Sequence, residues 1–224
     1  MKHINLIQRS EEWLNYRKTR IGATDFNQYM QYIMLSKSHY KQPWDKVAAE
    51  DRETSYRDSI LTDKLSGKKD VTSAMQYGVD HEQRLSVFAS ICYGKIFTPT
   101  IIESEQSSYI FASLDGLDDD LVLEIKTTGL PYCKENALLN SYKYQFAHQM
   151  YVTSTNEMCL LIEYGRTEWN TRCYSIHNND GVFTIYNEKG LLLSFYLTLE
   201  NWLRYCYEYL DHLNIVLLTD ILNF

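Results

Sequence analysis

Residues 112–126 read Ala-Ser-Leu-Asp-Gly-Leu-Asp-Asp-Asp-Leu-Val-Leu-Glu-Ile-Lys, which places Asp115, Glu124 and Lys126 within one short segment. The residues around Glu124 are apolar and favour β-structure, so the end of the segment predicts a strand. Alternate side chains of a strand point to opposite faces, and Glu124 and Lys126 therefore share one face. A carboxylate and an ammonium group are thus expected side by side.

Asp115 is expected to lie close to Glu124. Residues 109–114 predict another short strand, and Asp115-Gly116 with the three aspartates that follow predicts the turn between the two strands. Seven acidic residues and no Lys or Arg lie between residues 96 and 125. This is the most negative part of the sequence.

Two carboxylates about 4 Å apart repel each other by about 4 kcal/mol at an effective dielectric constant near 20. A bound cation would offset that repulsion. Because the donors are hard oxygen atoms and no cysteine cluster lies nearby, the segment favours Mg²⁺, with Mn²⁺ as a substitute.

Composition indicates one globular domain, since the 224 residues are 45% hydrophobic and 23% charged. No run of about 18 apolar residues is present and the first residues are not a signal peptide, so we expect a cytoplasmic protein with no membrane association. The five cysteines form no Cys-x-x-Cys pair. This spacing predicts reduced thiols and neither a zinc ribbon nor an iron–sulfur cluster.

The net charge of −7 is unusual for a protein that binds nucleic acid. Local clusters can nevertheless bind phosphate, because net charge describes solubility better than it describes one site. Basic residues gather in two places, at Arg17, Lys18 and Arg20 and at Lys64, Lys68 and Lys69.

The apolar periodicity predicts mixed helices and strands. A helix capped by Ser10 is expected first. Further helices are predicted over residues 25–35, 44–53, 74–93, 135–153 and 190–214, with a basic loop at 66–70. Strands are predicted over residues 96–102, 109–114, 122–126, 157–164 and 171–177.

Two of these helices carry polar residues near apolar stripes. On helix 74–93, His81, Leu85, Phe88 and Cys92 have core spacing, with His81 as a packing residue, and Glu82 shares the side of Leu85. A carboxylate beside an apolar stripe needs a partner; the alternative is an exposed glutamate. On helix 135–153, Gln145 and Gln149 lie one turn apart on the same side. They are either active-site residues or ordinary solvated side chains.

Several of these segments resemble the PD-(D/E)xK nuclease core, and within it the lambda exonuclease and YqaJ-like viral recombinase family. The family motif Ser-Pro-Asp-Gly followed by Glu-x-Lys corresponds to residues 113–116 and 124–126, with Leu114 in place of proline. Other family positions are matched by Trp13, Arg17 and Thr24, by Gly78 and Glu82, and by Tyr142, Gln145, Gln149 and Met150.

The resemblance, with helices and strands on both sides of the motif, implies an α/β fold with a mixed central β-sheet flanked by helices. We expect one nuclease domain over residues 1–224. It would comprise N-terminal helices over 10–73 that bind the DNA end, a catalytic core over 74–178 and a C-terminal helix over 190–215.

For the active site, the resemblance implies hydrolysis of a DNA phosphodiester by metal-activated water. Asp115, Glu124 and the carbonyl of Ile125 would bind Mg²⁺, and Glu82 would hold the metal or its water. Lys126 would position or deprotonate the water, with its pKa lowered by burial and a neighbouring cation. An amide in the site, from Gln149, would orient a water or a phosphate oxygen.

Arg17 and Thr24 are expected to hold the 5′-phosphate of the digested strand, with Arg20 and Gln145 as further DNA contacts. A guanidinium group and a helix N-terminus both favour phosphate. The alternatives are a surface ion pair of Arg17 with Glu11 or Glu12 and a plain N-cap at Thr24.

The resemblance also implies 5′-to-3′ digestion of one strand at the ends of double-stranded DNA, leaving 3′ single strands for recombination by annealing. It further implies a homotrimer, a single-strand annealing protein as partner and a phage or prophage origin. Two alternatives remain open: an endonuclease built on the same core, and a non-catalytic DNA-binding or interaction module.

Overall fold

The computed structural model of the protein describes residues 1–38, 64, 72–166 and 170–222. The predicted helix at 44–53 and the predicted basic loop at 66–70, with Lys68 and Lys69, lie outside the described residues.

One mixed sheet contains all the named strands of the described residues, in the order of the sequence. β4 and β5 are parallel, and every other neighbouring pair is antiparallel. The strands are β1 Lys2–His3, β2 Thr98–Ser104, β3 Ser107–Asp118, β4 Leu121–Thr128, β5 Glu157–Tyr164, β6 Thr171–Asn179, β7 Val182–Asn187 and β8 Gly190–Tyr196.

Five α-helices are described, and a 3-10 turn at Tyr132–Lys134 leads into the fourth. They are α1 Glu11–Lys18, α2 Ala23–Ser38, α3 Ser73–Tyr93, α4 Glu135–Thr153 and α5 Leu199–Leu222. Ser10 caps α1 as predicted, since its side chain accepts a hydrogen bond from the Trp13 amide. No helix among residues 1–38, 72–166 and 170–222 combines the length and apolar character that a membrane crossing requires.

The two faces of the sheet are covered by different helices. On one face, Leu85 and Ala89 of α3 pack against Leu123, Ile125 and Leu161. The opposite face carries the larger core, where α2, α4 and α5 pack against alternate residues of the same strands. The predicted α/β fold with a mixed sheet flanked by helices is confirmed.

The buried stripe predicted for α3, through His81, Leu85, Phe88 and Cys92, is wrong in part. Leu85 is fully buried, but Phe88 is 41% exposed and Cys92 is exposed. The helix packs on a single apolar sheet face, and a stripe through Leu85 and Ala89 is wide enough to cover it.

The helix predicted to begin at residue 190 begins later. Residues 182–187 and 190–196 form the antiparallel hairpin β7–β8, of which the sequence prediction contained no part. The Leu-rich run after Gly190 is as compatible with a strand as with a helix when it is this short. Thr198 then starts α5, because its side chain accepts a hydrogen bond from the Asn201 amide at 3.2 Å.

His148 is completely buried where α4 meets α5 and β3. Its Nδ1 accepts a hydrogen bond from Nε1 of Trp202 at 3.1 Å, and its Nε2 donates to the carbonyl of Phe111 at 2.9 Å. Both ring nitrogens are therefore satisfied in the neutral form. Burial lowers the pKa of His148 to about 4.

This lowered pKa predicts a loss of stability in mild acid. The unfolded chain takes up a proton at His148 near pH 6.5, whereas the folded protein resists protonation until about pH 4. The free energy of unfolding should fall by about 2.5 kcal/mol from this residue alone between pH 7.5 and 4.5. Urea denaturation across this range should show a shallower pH dependence for His148→Gln than for the natural protein.

The matched control is His3→Gln, because His3 is exposed. It should retain the full pH dependence. Equal slopes for His148→Gln and the natural protein would contradict the prediction.

Candidate active site

A β-bulge in β3 sets the position of Asp115. Thr100 pairs with Leu114 and Thr98 pairs with Leu117, so β3 has one extra residue opposite β2. Leu114 and Leu117 consequently both enter the larger core, and Asp115 is re-aimed between them. Bulges of this kind commonly turn a side chain toward a functional site.

The Asp115-Gly116 pair therefore lies inside a strand, and its predicted role as a turn is wrong. The turn between β3 and β4 is formed by Asp119 and Asp120, and Asp119 has a φ of 52°. Asp tolerates this left-handed conformation, which explains how a run of aspartates closes the hairpin.

Gly116 is required by close packing. A Cβ atom at this position would lie 2.5 Å from Cβ of Phe97 and 3.3 Å from Cβ of Leu123. Because Phe97 belongs to the core beneath α3, any larger residue here would push the bulge away from that core. The glycine of the motif thus fixes the backbone on which Asp115 stands.

Asp115 is half-buried and is held against the neighbouring strand. Its Oδ2 accepts a hydrogen bond from the Ile125 amide at 2.8 Å. Burial and the charge of Glu124 raise the pKa of Asp115 well above its usual range, against the opposing effects of Lys126 and this hydrogen bond. The pair therefore favours either a proton or a cation.

Glu124 is only 2% exposed and both of its carboxylate oxygens are engaged. Oε1 accepts a hydrogen bond from Nε2 of Gln145 at 2.7 Å and forms an ion pair with Lys126, while Oε2 accepts a hydrogen bond from Nε2 of Gln149. Both glutamines of α4 are thus buried on Glu124, so the solvated interpretation is wrong.

Gln149 retains a buried amide oxygen, Oε1, that has no hydrogen-bond partner among the residues the structure describes. A buried acceptor without a partner costs about 1–3 kcal/mol. Because the same amide donates to Glu124, a water or another hydrogen-bond donor beside that carboxylate would satisfy it.

Lys126 stays charged in this setting. Burial opposes its charge, but the charges of Glu124 and Asp115 outweigh that effect and raise the pKa of Lys126. The predicted lowering of this pKa requires a neighbouring cation as well as burial, and it stays a prediction. The ammonium also lies 4.8 Å from the ring centroid of Tyr142, the first residue of the family motif on α4.

Glu82 approaches the site from the opposite face of the sheet. A Cβ atom on Gly78 would lie only 3.3 Å from Oγ1 of Thr127, so this glycine allows α3 to pack close to the end of β4. Glu82 is partly buried and forms an ion pair with Arg9. Its charge contributes to the raised pKa of Asp115, after the larger effects of burial and Glu124.

The donors present fit a divalent cation. The half-buried Asp115 and the buried Glu124 supply hard oxygen atoms whose charges repel each other, and Mg²⁺ typically uses one or two carboxylates and keeps several waters. Across the residues that the structure describes, no three His, Cys, Asp or Glu side chains are grouped so that they could hold a metal ion. Glu82 is accordingly paired with Arg9 instead of completing a three-carboxylate set.

The predicted phosphate-binding residues lie around α1 and the start of α2. The guanidinium of Arg17 lies 4.5 Å from the ring centroid of Trp13, and no ion pair with Glu11 or Glu12 is found in the described part of the chain. Trp13 in turn donates from Nε1 to Oγ of Ser113 at 3.0 Å. This bond ties α1 to β3 two residues before Asp115.

Thr24 is exposed in the first turn of α2, one residue after the helix begins, and it is therefore not the N-cap. Arg20 is engaged by the protein itself. Its Nε donates to the carbonyl of Ser108 at 3.0 Å, and its guanidinium stacks 4.0 Å from the ring centroid of Tyr16. The structure places the side chain of Gln145 at Glu124, while its backbone amide donates to Oδ1 of Asn27 on α2 at 3.2 Å.

Two buried charges near the site went unrecognised in the sequence. Asp25 forms an ion pair with Lys64 at 2.8 Å; burial alone would raise the pKa of Asp25, but the charges of Lys64 and Arg17 lower it. Glu163 on β5 is fully buried and binds Arg84 and the hydroxyl of Tyr77. The only available signal was one acidic residue inside each apolar stretch.

His81 stacks on Tyr77 with ring centroids 3.9 Å apart. Its Nδ1 lies 2.8 Å from the carbonyl of that same residue. These contacts agree with the packing role predicted for His81.

Residues 12–156 match the family model described as the YqaJ-like viral recombinase domain. Two crystal structures of an alkaline exonuclease (LHK-Exo) from Laribacter hongkongensis, one of them in complex with dAMP, each align with a TM-score of 0.61 and 19% identity. Each alignment covers 92% of this chain and 93% of that chain.

A phage related exonuclease from Haemophilus somnus 129PT aligns with a TM-score of 0.51 and 12% identity, over 81% of this chain and 90% of that chain. At these identities the structural matches establish the fold. No curated protein matches the sequence.

The packing at the bulge predicts that Gly116→Ala is destabilising. The new Cβ would meet Cβ of Phe97, which cannot move without disturbing the core, and overpacking of this kind costs about 1–3 kcal/mol. Denaturant unfolding of the metal-free protein measures the loss. Gly129→Ala is the matched control, since its nearest atom is 3.8 Å away on the side chain of Arg166; equal stabilities of the two variants would contradict the prediction.

Proposed function

The chain belongs to the YqaJ-like viral recombinase family, as its motifs predict, and from that membership we propose that it is a Mg²⁺-dependent DNA exonuclease. The observation that carries the proposal is the cluster of Asp115, Glu124 and Lys126 at the meeting of β3 and β4. The fold shared with alkaline and phage related exonucleases supports it.

The reaction is hydrolysis of a phosphodiester bond by water. A divalent cation bound by Asp115 and Glu124 would offset charge on the phosphate and lower the pKa of bound water. Gln145 and Gln149 fix the orientation of the Glu124 carboxylate. The free Oε1 of Gln149 can accept a hydrogen bond from the attacking water and so orient it.

Lys126 places a positive charge beside both carboxylates. Its ammonium would donate a hydrogen bond to the scissile phosphate or the attacking water. Glu124 and Asp115 raise the pKa of Lys126 and so favour its charged form before a cation binds. Electrostatic stabilisation of the developing charge is the role that we propose for it.

Substrate polarity rests on Arg17 and Thr24. The Arg17 guanidinium is partly buried over Trp13, and Thr24 lies in the first turn of α2, where backbone amides favour an anion. We propose that they hold the 5′-phosphate of the digested strand, which gives 5′-to-3′ digestion of linear duplex DNA. Homotrimer formation and cooperation with a single-strand annealing protein belong to the same proposal.

The metal site is tested with end-labelled linear duplex DNA in the presence of Mg²⁺, Mn²⁺ or a chelator. Glu124→Gln and Lys126→Ala should each lower kcat by roughly 10²–10⁴-fold, because each removes a charge from the site. Chelation should abolish cleavage. The control is Arg204→Gln, which removes an exposed charge on α5. Inactive natural protein would favour a non-catalytic module, and cutting of closed circular DNA would favour an endonuclease.

The phosphate contact is tested by comparing 5′-phosphorylated and 5′-hydroxyl ends. Arg17→Ala should lose most of the preference for the phosphorylated end while it retains slow cleavage, since the guanidinium is proposed to bind the terminal 5′-phosphate and not the phosphate that is cleaved. Arg20→Ala is the matched comparison because Arg20 is bound to Ser108 and Tyr16. An equal loss of cleavage on both ends in Arg17→Ala would contradict the anchoring role.

A further inference from the structure

A short N-terminal segment, residues 8–10, bridges the elements that carry the active site. Nε2 of Gln8 donates to the carbonyl of Leu114 at 3.0 Å and to that of Thr100 at 3.4 Å, directly beside the bulge that sets Asp115. Ser10 then caps α1. Between them, Arg9 reaches across to Glu82 on α3.

The backbone at Arg9 is unusual for its residue type. Its φ is 70°, in the left-handed region that non-glycine residues seldom occupy. The turn is closed by a hydrogen bond from the Ser10 amide to the carbonyl of Ile7 at 3.1 Å. Strained conformations persist where the surrounding contacts impose them, and such positions concentrate at functional sites.

Stability alone does not account for the ion pair of Arg9 with Glu82. The side chain of Arg9 is 53% exposed and that of Glu82 is 23% exposed, and exposed ion pairs contribute little to folding. Its location is more informative. Glu82 lies one helical turn after Gly78, which packs against Thr127 at the end of β4, beside Lys126, yet it forms no three-carboxylate group with Asp115 and Glu124 among the described residues.

We propose that Arg9 is a positioning residue that holds Glu82 as an outer member of the active site, where Glu82 binds the reaction water instead of coordinating the cation. This rests on the proposed nuclease function. Arg9 keeps one carboxylate oxygen of Glu82 occupied through Oε2. No described residue is bound to the other oxygen, which would accept a hydrogen bond from water between Glu82 and the Asp115–Glu124 pair.

The test is a double-mutant cycle with Arg9→Gln and Glu82→Gln. Each single variant should lower kcat by about 10-fold, with KM for DNA and the Mg²⁺ concentration at half-maximal rate within about 2-fold of the natural protein, because outer partners of metal sites affect activity by such factors. The double variant should be no slower than Glu82→Gln. Arg9→Lys should recover part of kcat, since lysine keeps the charge.

Additive losses in the double variant would overturn the proposal, because they would show that Arg9 acts independently of Glu82. A raised KM for DNA with a weaker salt dependence would also overturn it and identify Arg9 as a phosphate contact. A Mg²⁺ requirement raised tenfold or more by Glu82→Gln would show that Glu82 is a direct ligand. The charge control is again Arg204→Gln, which breaks an exposed ion pair with Glu208.

A second readout uses the metal-free protein and no catalysis. Hydrogen–deuterium exchange of the peptide that covers residues 4–10 should speed up equally in Arg9→Gln and Glu82→Gln, since either change releases the segment. Unchanged exchange in Glu82→Gln would refute the contact. If the natural protein cleaves no DNA, the proposed function fails, whereas an active natural protein with additive variants fails this inference alone.

Discussion

The burial of the Glu124 carboxylate is the constraint on which the rest of the site depends. A charge this deeply buried is tolerated only when it is paired and hydrogen-bonded. Lys126 supplies the pairing from the same strand, and the two glutamines of α4 supply the hydrogen bonds. The position of α4 against the sheet is therefore set by polar contacts as well as by its apolar stripe.

Two glycines, Gly116 and Gly78, help to position the carboxylates of the site by allowing close packing. Gly116 lets the bulge of β3 settle against Phe97, and Gly78 lets α3 approach the end of β4. Gly116 thereby brings Asp115 close to Glu124, and Gly78 brings Glu82 toward these two residues. Helices α3 and α4, on opposite faces of the sheet, therefore both contribute side chains to the site at the junction of β3 and β4.

Local signals allowed much of this to be predicted from the sequence. Helix α4 and strand β5 have the predicted bounds, because Ser154 ends the helix in a left-handed conformation and Gly165 follows the strand. The bulge was not predictable, since its extra residue is visible only in the pairing with β2. Nor was the contact of Arg9 with Glu82, which joins residues far apart in sequence. The β7–β8 hairpin was hidden because a short apolar run suits either kind of element.

The first strand joins the sheet through a long detour of the chain. Lys2 pairs with Glu103 and His3 with Ile102, so each residue of this strand pairs with a partner about a hundred residues further along the chain. Pairing of such distant residues is slow, because the entropy cost of closing the long loop comes before the stabilising contacts form. The edge strand is thus expected to dock after β2 and β3 have formed, and a chain from which residues 1–10 were removed would lose the segment that reaches Glu82.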